Sequence, residues 1–251
     1  MRILVTFAVE SEFAPWRELR AFQKVRAEEM DYYSSEINGS RVDVLLTGVG
    51  GKKPWRELAG SLYESEIELC ISSGLAGGLR ADHKIAEILV AEKVLAPPKD
   101  INAFSERSLV DAAVTQGAKK VAAFYTTEHV VLTSAEKRRL ASFADAVEME
   151  SFEVLIEGGV FAEKIVAIRA ISDTVDEDLP LDFNRVTDGA GDISIMRILG
   201  QIAGSPTVVP ALVRFGQRSK SAAEALAAFL DRYLLALVAA HAAELNGART
   251  S

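Results

Sequence analysis

The sequence predicts an α/β protein: a single domain over residues 1–251, three layers deep, with a central mixed sheet flanked by helices. Three observations predict it. Short apolar, β-branched runs alternate with stretches of helical period along the whole chain. Hydrophobic residues make up 49% and charged residues 25%, an ordinary globular balance. The 251 residues suffice for one sizeable core, and no repeat or low-complexity segment divides them.

Residues 3–9 read as the first strand, interrupted by Glu10. Residues 42–47 read as another, paired with 32–37 through Asn38-Gly39-Ser40, a strong short hairpin signal. Gly48-Val49-Gly50-Gly51 breaks the chain before a helical stretch over 54–64. Residues 67–72 are a strand that ends in a glycine-rich turn, Gly74-Leu75-Ala76-Gly77-Gly78, and 85–94 are a further strand. A helix over 108–116, a strand over 121–125, a helix over 135–142 and a short strand over 146–149 follow. A helix starts near Ser151, and 164–171 form a buried strand. The acids, Pro180 and the Gly189-Ala190-Gly191 run make 176–192 an irregular insert, and helical patterns over 193–203 and 219–245 close the chain. Strands alternating with helices imply a largely parallel sheet covered on both faces.

Composition excludes several function classes. A net charge of −8 argues against nucleic acid as the partner, since phosphate backbones require clustered Lys and Arg. The single cysteine, Cys70, precludes an internal disulfide and fits a reducing cytoplasm. His83, His129 and His241 lie far apart and none has a partner at metal-ligand spacing, so no metal is expected. The N-terminus lacks the features of a secretory signal. Residues 222–243 are rich in Ala and Leu, but Glu224, Asp231, Arg232 and His241 keep every uncharged run well short of the ~20 apolar residues of a membrane span. They predict an amphipathic helix and a protein that does not span a membrane.

In open α/β sheets ligands gather beyond the carboxyl ends of the strands. Glu10 and Glu12 follow the first strand, the glycine run follows 67–72, Glu148 and Glu150 end 146–149, and Ser172-Asp173 end the last strand. That coincidence marks a site. The glycine runs alone do not: Gly48-Val49-Gly50-Gly51 matches neither a dinucleotide fingerprint nor a P-loop, since Lys53 stands where Ser or Thr belongs. No cofactor is expected.

Four segments occur in order: Ala8-Val9-Glu10-Ser11-Glu12, Ser73-Gly74-Leu75-Ala76-Gly77-Gly78-Leu79, Val147-Glu148-Met149-Glu150 and Arg169-Ala170-Ile171-Ser172-Asp173. Together, over residues 1–200, they resemble the signature segments of the nucleoside phosphorylase/nucleosidase family, particularly the 5′-methylthioadenosine/S-adenosylhomocysteine nucleosidases. The last two are specific as a pair. The resemblance implies a purine nucleoside as the small-molecule partner and cleavage of its N-glycosidic bond. Such cleavage needs an acid on the leaving base and activation of the attacking water.

By resemblance, Asp173 presents a proton to purine N7 with Ser172 helping to hold it; burial at a strand mouth is expected to keep that carboxyl protonated part of the time. Its bland alternative is a helix N-cap or loop aspartate. Glu150 matches the glutamate that accepts hydrogen bonds from the ribose hydroxyls, which suits an ionised carboxylate, and Met149 the residue against the sugar. The alternative for Glu150 is an exposed acid in a first helical turn. Glu12 matches the glutamate that deprotonates the attacking water, against a helix-start acid, and Arg169 the arginine near that water or the sugar. Glu148 falls on the other face of its strand and reads as a surface charge. Gly74 and Leu75 match the glycine-run contacts, and Val130 and Val131 line the purine pocket, largely through backbone groups. His129 reads as a loop histidine, and Phe13, Tyr125 and Phe152 as core.

Phosphorylases of the family bind phosphate with an arginine just before the glycine run. Here that stretch reads Leu69-Cys70-Ile71-Ser72-Ser73, which favours water as nucleophile. Phosphate stays the rival, with Arg80 or Arg169 approaching from elsewhere. Leu75 replaces the usual small polar residue, and Phe183 or Leu181 stands where an aromatic residue meets the 5′ substituent. The tail, with Asp188-Gly189, Asp192-Ile193 and Val209-Pro210-Ala211-Leu212, is similar to hopanoid-associated phosphorylases, while futalosine hydrolases share the core motifs. The implied substrate is a purine nucleoside modified at its 5′ position. A homodimer is implied by the family. A non-catalytic nucleoside sensor stays as the reading from another class.

Overall fold

The computed structural model describes residues 1–26, 31–53, 55, 67–96, 101–186, 191 and 194–248. The expected helix over 54–64 falls almost wholly outside them. The chain opens with β1 (Arg2–Phe7), α1 (Glu10–Arg20), β2 (Gln23–Val25), β3 (Tyr32–Ile37) and β4 (Ser40–Leu46). Next come a 3₁₀ turn (Val49–Gly51), β5 (Ile67–Gly78), β6 (Ile88–Leu95), β7 (Asn102–Phe104), α2 (Arg107–Thr115) and β8 (Lys119–Thr126). Then follow α3 (Ser134–Leu140), β9 (Ala146–Glu148), α4 (Ser151–Gly158) and β10 (Ala162–Asp173). The chain closes with α5 (Phe183–Val186), α6 (Ile195–Gly204), a 3₁₀ turn (Pro206–Val208) and α7 (Val209–Ala248).

The strands form one mixed sheet in the order β10-β6-β8-β9-β5-β1-β4-β3-β2, with β7 on β6. Since β10 also pairs with β5, half of the sheet closes on itself. Five pairings are parallel and five antiparallel among the described residues, so the sheet is less parallel than the alternation of elements suggests. The excess comes from β3–β4, from the short strands β2, β7 and β9, and from β6 running against β10. The hairpin turn is as expected: Asn38 and Gly39 both have positive φ, 48° and 79°, as a two-residue primed turn demands.

One local expectation is wrong. Gly74–Gly78 is not a turn but the second half of β5, held in register by β10 from Arg169↔Gly74 to Asp173↔Gly77. Tertiary pairing with an equally long strand overrides the local breaking tendency of glycine. The small residues serve proximity instead, because they let side chains of α1 and β10 lie directly on the strand.

The helix α7 is 40 residues long. It packs Ala222, Leu226, Phe229, Leu230 and Tyr233 into the cluster that also holds Val5, Ile71 and Ile168. Tyr233 donates to the Leu109 carbonyl at 2.9 Å, and Asp231 pairs with Arg20 of α1. Residues Pro206–Asn246 are long and apolar enough to cross a membrane by length and composition, with 39% of the apolar window buried inside the protein. The one-sided burial is that of an amphipathic helix on a core.

Candidate active site

The carboxyl ends of β1, β5 and β10 and the junction of β9 with α4 meet around one cavity of about 740 Å³. Glu12, in the first turn of α1, folds its carboxylate back toward the sheet. Its two oxygens accept from the Ala8 amide at 3.2 Å and the Leu75 amide at 3.3 Å. Gly74 makes room for it: a Cβ there would stand 2.9 Å from Glu12 Oε2 and 3.4 Å from Arg169 Nη1. Burial raises the Glu12 pKa, opposed by Arg169 and by the backbone donors.

Beneath Glu12 and Glu150 lies Arg169, 1% exposed. Its Nη2 donates to Glu148 Oε2 at 2.6 Å, lies 3.7 Å from Glu150 Oε2 and reaches Ser72 Oγ at 3.3 Å. Glu148 is therefore not a surface charge. It is 5% exposed, accepts from Thr126 Oγ1, and caps α4 by accepting from the Glu150 and Ser151 amides at 2.9 and 2.7 Å. The expectation misapplied strand alternation, which puts Glu148 on the same face as Glu150 two residues on, where the chain leaves β9 for a helix. Burial alone would raise the Glu148 pKa, but Arg169 and Thr126 outweigh it and hold the group below the usual carboxylate range. The same burial, with the neighbouring Glu148 charge, pushes Glu150 up to about 8 despite Arg169. One arginine is shared among three acids, and Glu148 takes the largest part. Glu150 thus departs from the expectation of an ionised carboxylate at neutral pH; its Oε1 accepts from the Gly50 amide at 2.9 Å.

Asp173 ends β10 rather than capping a helix. Its Oδ1 accepts from Ser172 Oγ at 2.7 Å, and its Oδ2 pairs with the ammonium of Lys137. Gly77 lets it lie flat on β5, since a Cβ there would stand 3.0 Å from Oδ2. Lys137, fully buried on α3, adds an opposite charge that no local pattern signals.

The cavity wall contains Glu12, Leu75, Met149, Glu150, Ser172 and Asp173, and also Val130, Val131 and Phe183. Arg169 and Gly74 do not line it. Arg169 is committed to Glu148 behind the wall, and Gly74 is covered by the Glu12 carboxylate. The backbone of Val130 is also not free for a base: its amide donates to Asn184 Oδ1 at 2.7 Å, and its carbonyl accepts from Asn184 Nδ2 at 3.0 Å. Phe13 and Phe152 are core, as expected, and exposed His129 sits 3.1 Å from Glu136 Oε1. Beyond the acids the cavity runs between α1 and α7, past Pro15, Phe215 and Ser219, residues the motifs do not reach. Among the described residues no cluster of His, Cys, Asp and Glu is arranged to hold a metal.

Residues 2–235 match the phosphorylase superfamily. Solved structures share the fold. A mutant of the Helicobacter pylori enzyme MTAN, with 5′-methylthioadenosine in its active site, is 19% identical with a TM-score of 0.70, over 93% of this chain and 97% of that one. A futalosine hydrolase mutant of H. pylori strain 26695 is 20% identical with a TM-score of 0.69, over 93% and 98%. The 5′-methylthioadenosine/S-adenosylhomocysteine nucleosidase of S. pneumoniae, with a transition-state inhibitor, is 16% identical with a TM-score of 0.71, over 94% and 100%. By the match over nearly its whole length, the chain belongs to the phosphorylase superfamily.

Proposed function

We propose that this protein is an N-ribosyl hydrolase that cleaves the glycosidic bond of a 5′-modified purine nucleoside and releases the free base. The observation that carries the reading is the convergence of Glu12, Glu150 and Asp173 on one cavity. As the bond lengthens, positive charge gathers on the ribose and negative charge on the base. Asp173 takes up a proton from solvent, passes it to N7 and returns to the carboxylate that Lys137 stabilises. Glu12, made more basic by burial, takes the proton of the attacking water, whose hydroxyl joins the sugar carbon. Glu150 receives the ribose hydroxyls beside Met149. Arg169 holds this acid set in place from behind and offsets its mutual repulsion.

Water is favoured over phosphate because no arginine lines the cavity among the described residues, and Arg169 is already paired. The arm between α1 and α7 supplies room for a 5′ substituent; 5′-methylthioadenosine, S-adenosylhomocysteine, futalosine and adenosylhopane are the substrates to compare. The reading carries a cytoplasmic homodimer with it, from the resemblance and from the single cysteine. The test is release of adenine or hypoxanthine from these nucleosides and inosine, each with and without phosphate. Release without phosphate, lowered by orders of magnitude in Asp173→Asn, is expected. An absolute need for phosphate would make the protein a phosphorylase, and binding without turnover would make it a sensor.

A further inference from the structure

Between residues 193 and 223 the sequence contains Arg197, Arg214, Arg218 and Lys220 and no Asp or Glu, in a chain of net charge −8 with 36 acids. The described part of this stretch is the helical arm formed by α6, the 3₁₀ turn and the start of α7. The arm is tied to the body by Gln201, which accepts from the Asp182 amide at 3.1 Å and donates to the Asp182 carbonyl at 2.9 Å. Four of its large apolar side chains face outward: Met196 is 78% exposed, Leu199 52%, Val209 39% and Val213 53%. Met196 and Leu199 stand three apart on α6, Val209 and Val213 four apart on α7, so each pair shares a helix face.

Large apolar side chains held in water are unfavourable unless something covers them. The charge pattern selects the cover. Three of the four cations are already engaged within the protein, Arg218 with Glu177, Lys220 with Glu224 at 3.8 Å, and Arg197 as well. Arg214, exposed beside Val213, has no ion-pair partner among the described residues. Exposed apolar residues with cations and no acids are the composition of helices that lie in the headgroup region of anionic bilayers. A nucleic acid would also attract the cations, but would leave the apolar stripes uncovered.

We propose that the α6–α7 arm docks this protein onto an anionic lipid surface, with Met196, Leu199, Val209 and Val213 entering the headgroup–acyl boundary and Arg214 meeting lipid phosphates. The surface adjoins the cavity, because the turn of α7 that follows Val213 lines it through Phe215, Gly216 and Ser219. The proposal stands apart from the choice of water or phosphate in the site.

The test is sedimentation of the full chain with vesicles of phosphatidylcholine alone and of phosphatidylcholine with phosphatidylglycerol. Binding to the anionic vesicles only is expected, and it is lost in about 1 M salt, where the screening length falls to ~3 Å. Met196→Glu/Leu199→Glu lowers partitioning at least ~10-fold, and Arg214→Gln lowers it roughly fivefold. Both variants keep the wild-type melting temperature, which separates lost docking from lost folding. Equal binding to both kinds of vesicle, absence of binding, or full binding by both variants would overturn the proposal. So would a dimer in vesicle-free solution that dissociates on Met196→Glu/Leu199→Glu, since the arm would then be covered by a second copy.

Discussion

The ammonium of Lys137 rests on Asp173 Oδ2, and its other two protons go to the carbonyls of Thr174 and Glu177, at 3.0 and 2.8 Å. A lysine with no exposure has thereby satisfied all three donors, one of them on the acid assigned to the leaving base. Losing either partner strands a buried charge. Lys137→Met is expected to lower the unfolding free energy by about 3–5 kcal/mol, measured by urea denaturation. Adding Asp173→Asn to it recovers part of that loss, because the stranded carboxylate goes too. Additive losses in the double variant would show that the two side chains do not interact. Base release by Lys137→Met falls by roughly 100-fold through kcat rather than KM, and Lys137→Arg restores part of it if charge is what matters.

How much of this is readable in the sequence differs by residue, for physical reasons. Strands β1, β3, β4, β8 and β10 and the Asn38-Gly39 turn follow from local patterning. Glu12, Glu150 and Asp173 carry recognisable neighbours and reach one cavity. Lys137 does not, because an (i, i+3) face on α3 looks the same whether solvent or Asp173 lies opposite. Glu148 and Glu150 stand two residues apart, so strand alternation puts them on one face, and reading Glu148 as a surface charge misapplied it; the two share Arg169. The glycine run is legible as a place of close approach but not as a strand, since β10 decides that from nearly a hundred residues away.

Gly74 is tested by adding a methyl group. Its φ of +150° and the 2.9 Å separation from Glu12 Oε2 leave no room for one. Gly74→Ala is expected to displace the Glu12 carboxylate from the Leu75 amide and to lower kcat by roughly 10–100-fold, with a stability loss of about 1–3 kcal/mol. A crystal structure of the variant with Glu12 displaced and activity unchanged would remove Glu12 from the water-activating role.

Glu150 gives the site a pH dependence. Its pKa is about 8 in the folded protein against 4.5 for the ordinary group, so folding favours its protonated form. The stability that this proton supplies is complete below about pH 4.5 and is lost as pH rises through about 8. Relative to wild type, Glu150→Gln is therefore expected to gain stability steadily between those limits, by a few kcal/mol at most. Thermal melts of the two proteins across that range measure it; parallel curves would show that Glu150 ionises like a solvated carboxylate. For nucleoside binding the direction reverses. On the proposed function the ionised form is the one that accepts both ribose hydroxyls, so kcat/KM is expected to rise with pH until about 8 and then level.

The sharing of Arg169 predicts how Glu150 responds to its neighbour. Two influences raise the Glu150 pKa, burial first and the Glu148 charge second, while Arg169 lowers it from 3.7 Å. Glu148→Gln removes the second influence. It also frees the Arg169 guanidinium, which the carboxylate now holds at 2.6 Å, to turn toward Glu150. Both changes favour the ionised form, so Glu150 should titrate well below its present value of about 8. The amide keeps one acceptor oxygen for the α4 amides, although the cap weakens and a loss of about 1 kcal/mol follows. Carboxyl ¹³C shifts of Glu-labelled protein, with Glu150→Gln to assign the resonance, read the titration directly. A Glu150 resonance that keeps its midpoint in Glu148→Gln would mean that burial alone sets it, and that Arg169 serves Glu148 without being shared.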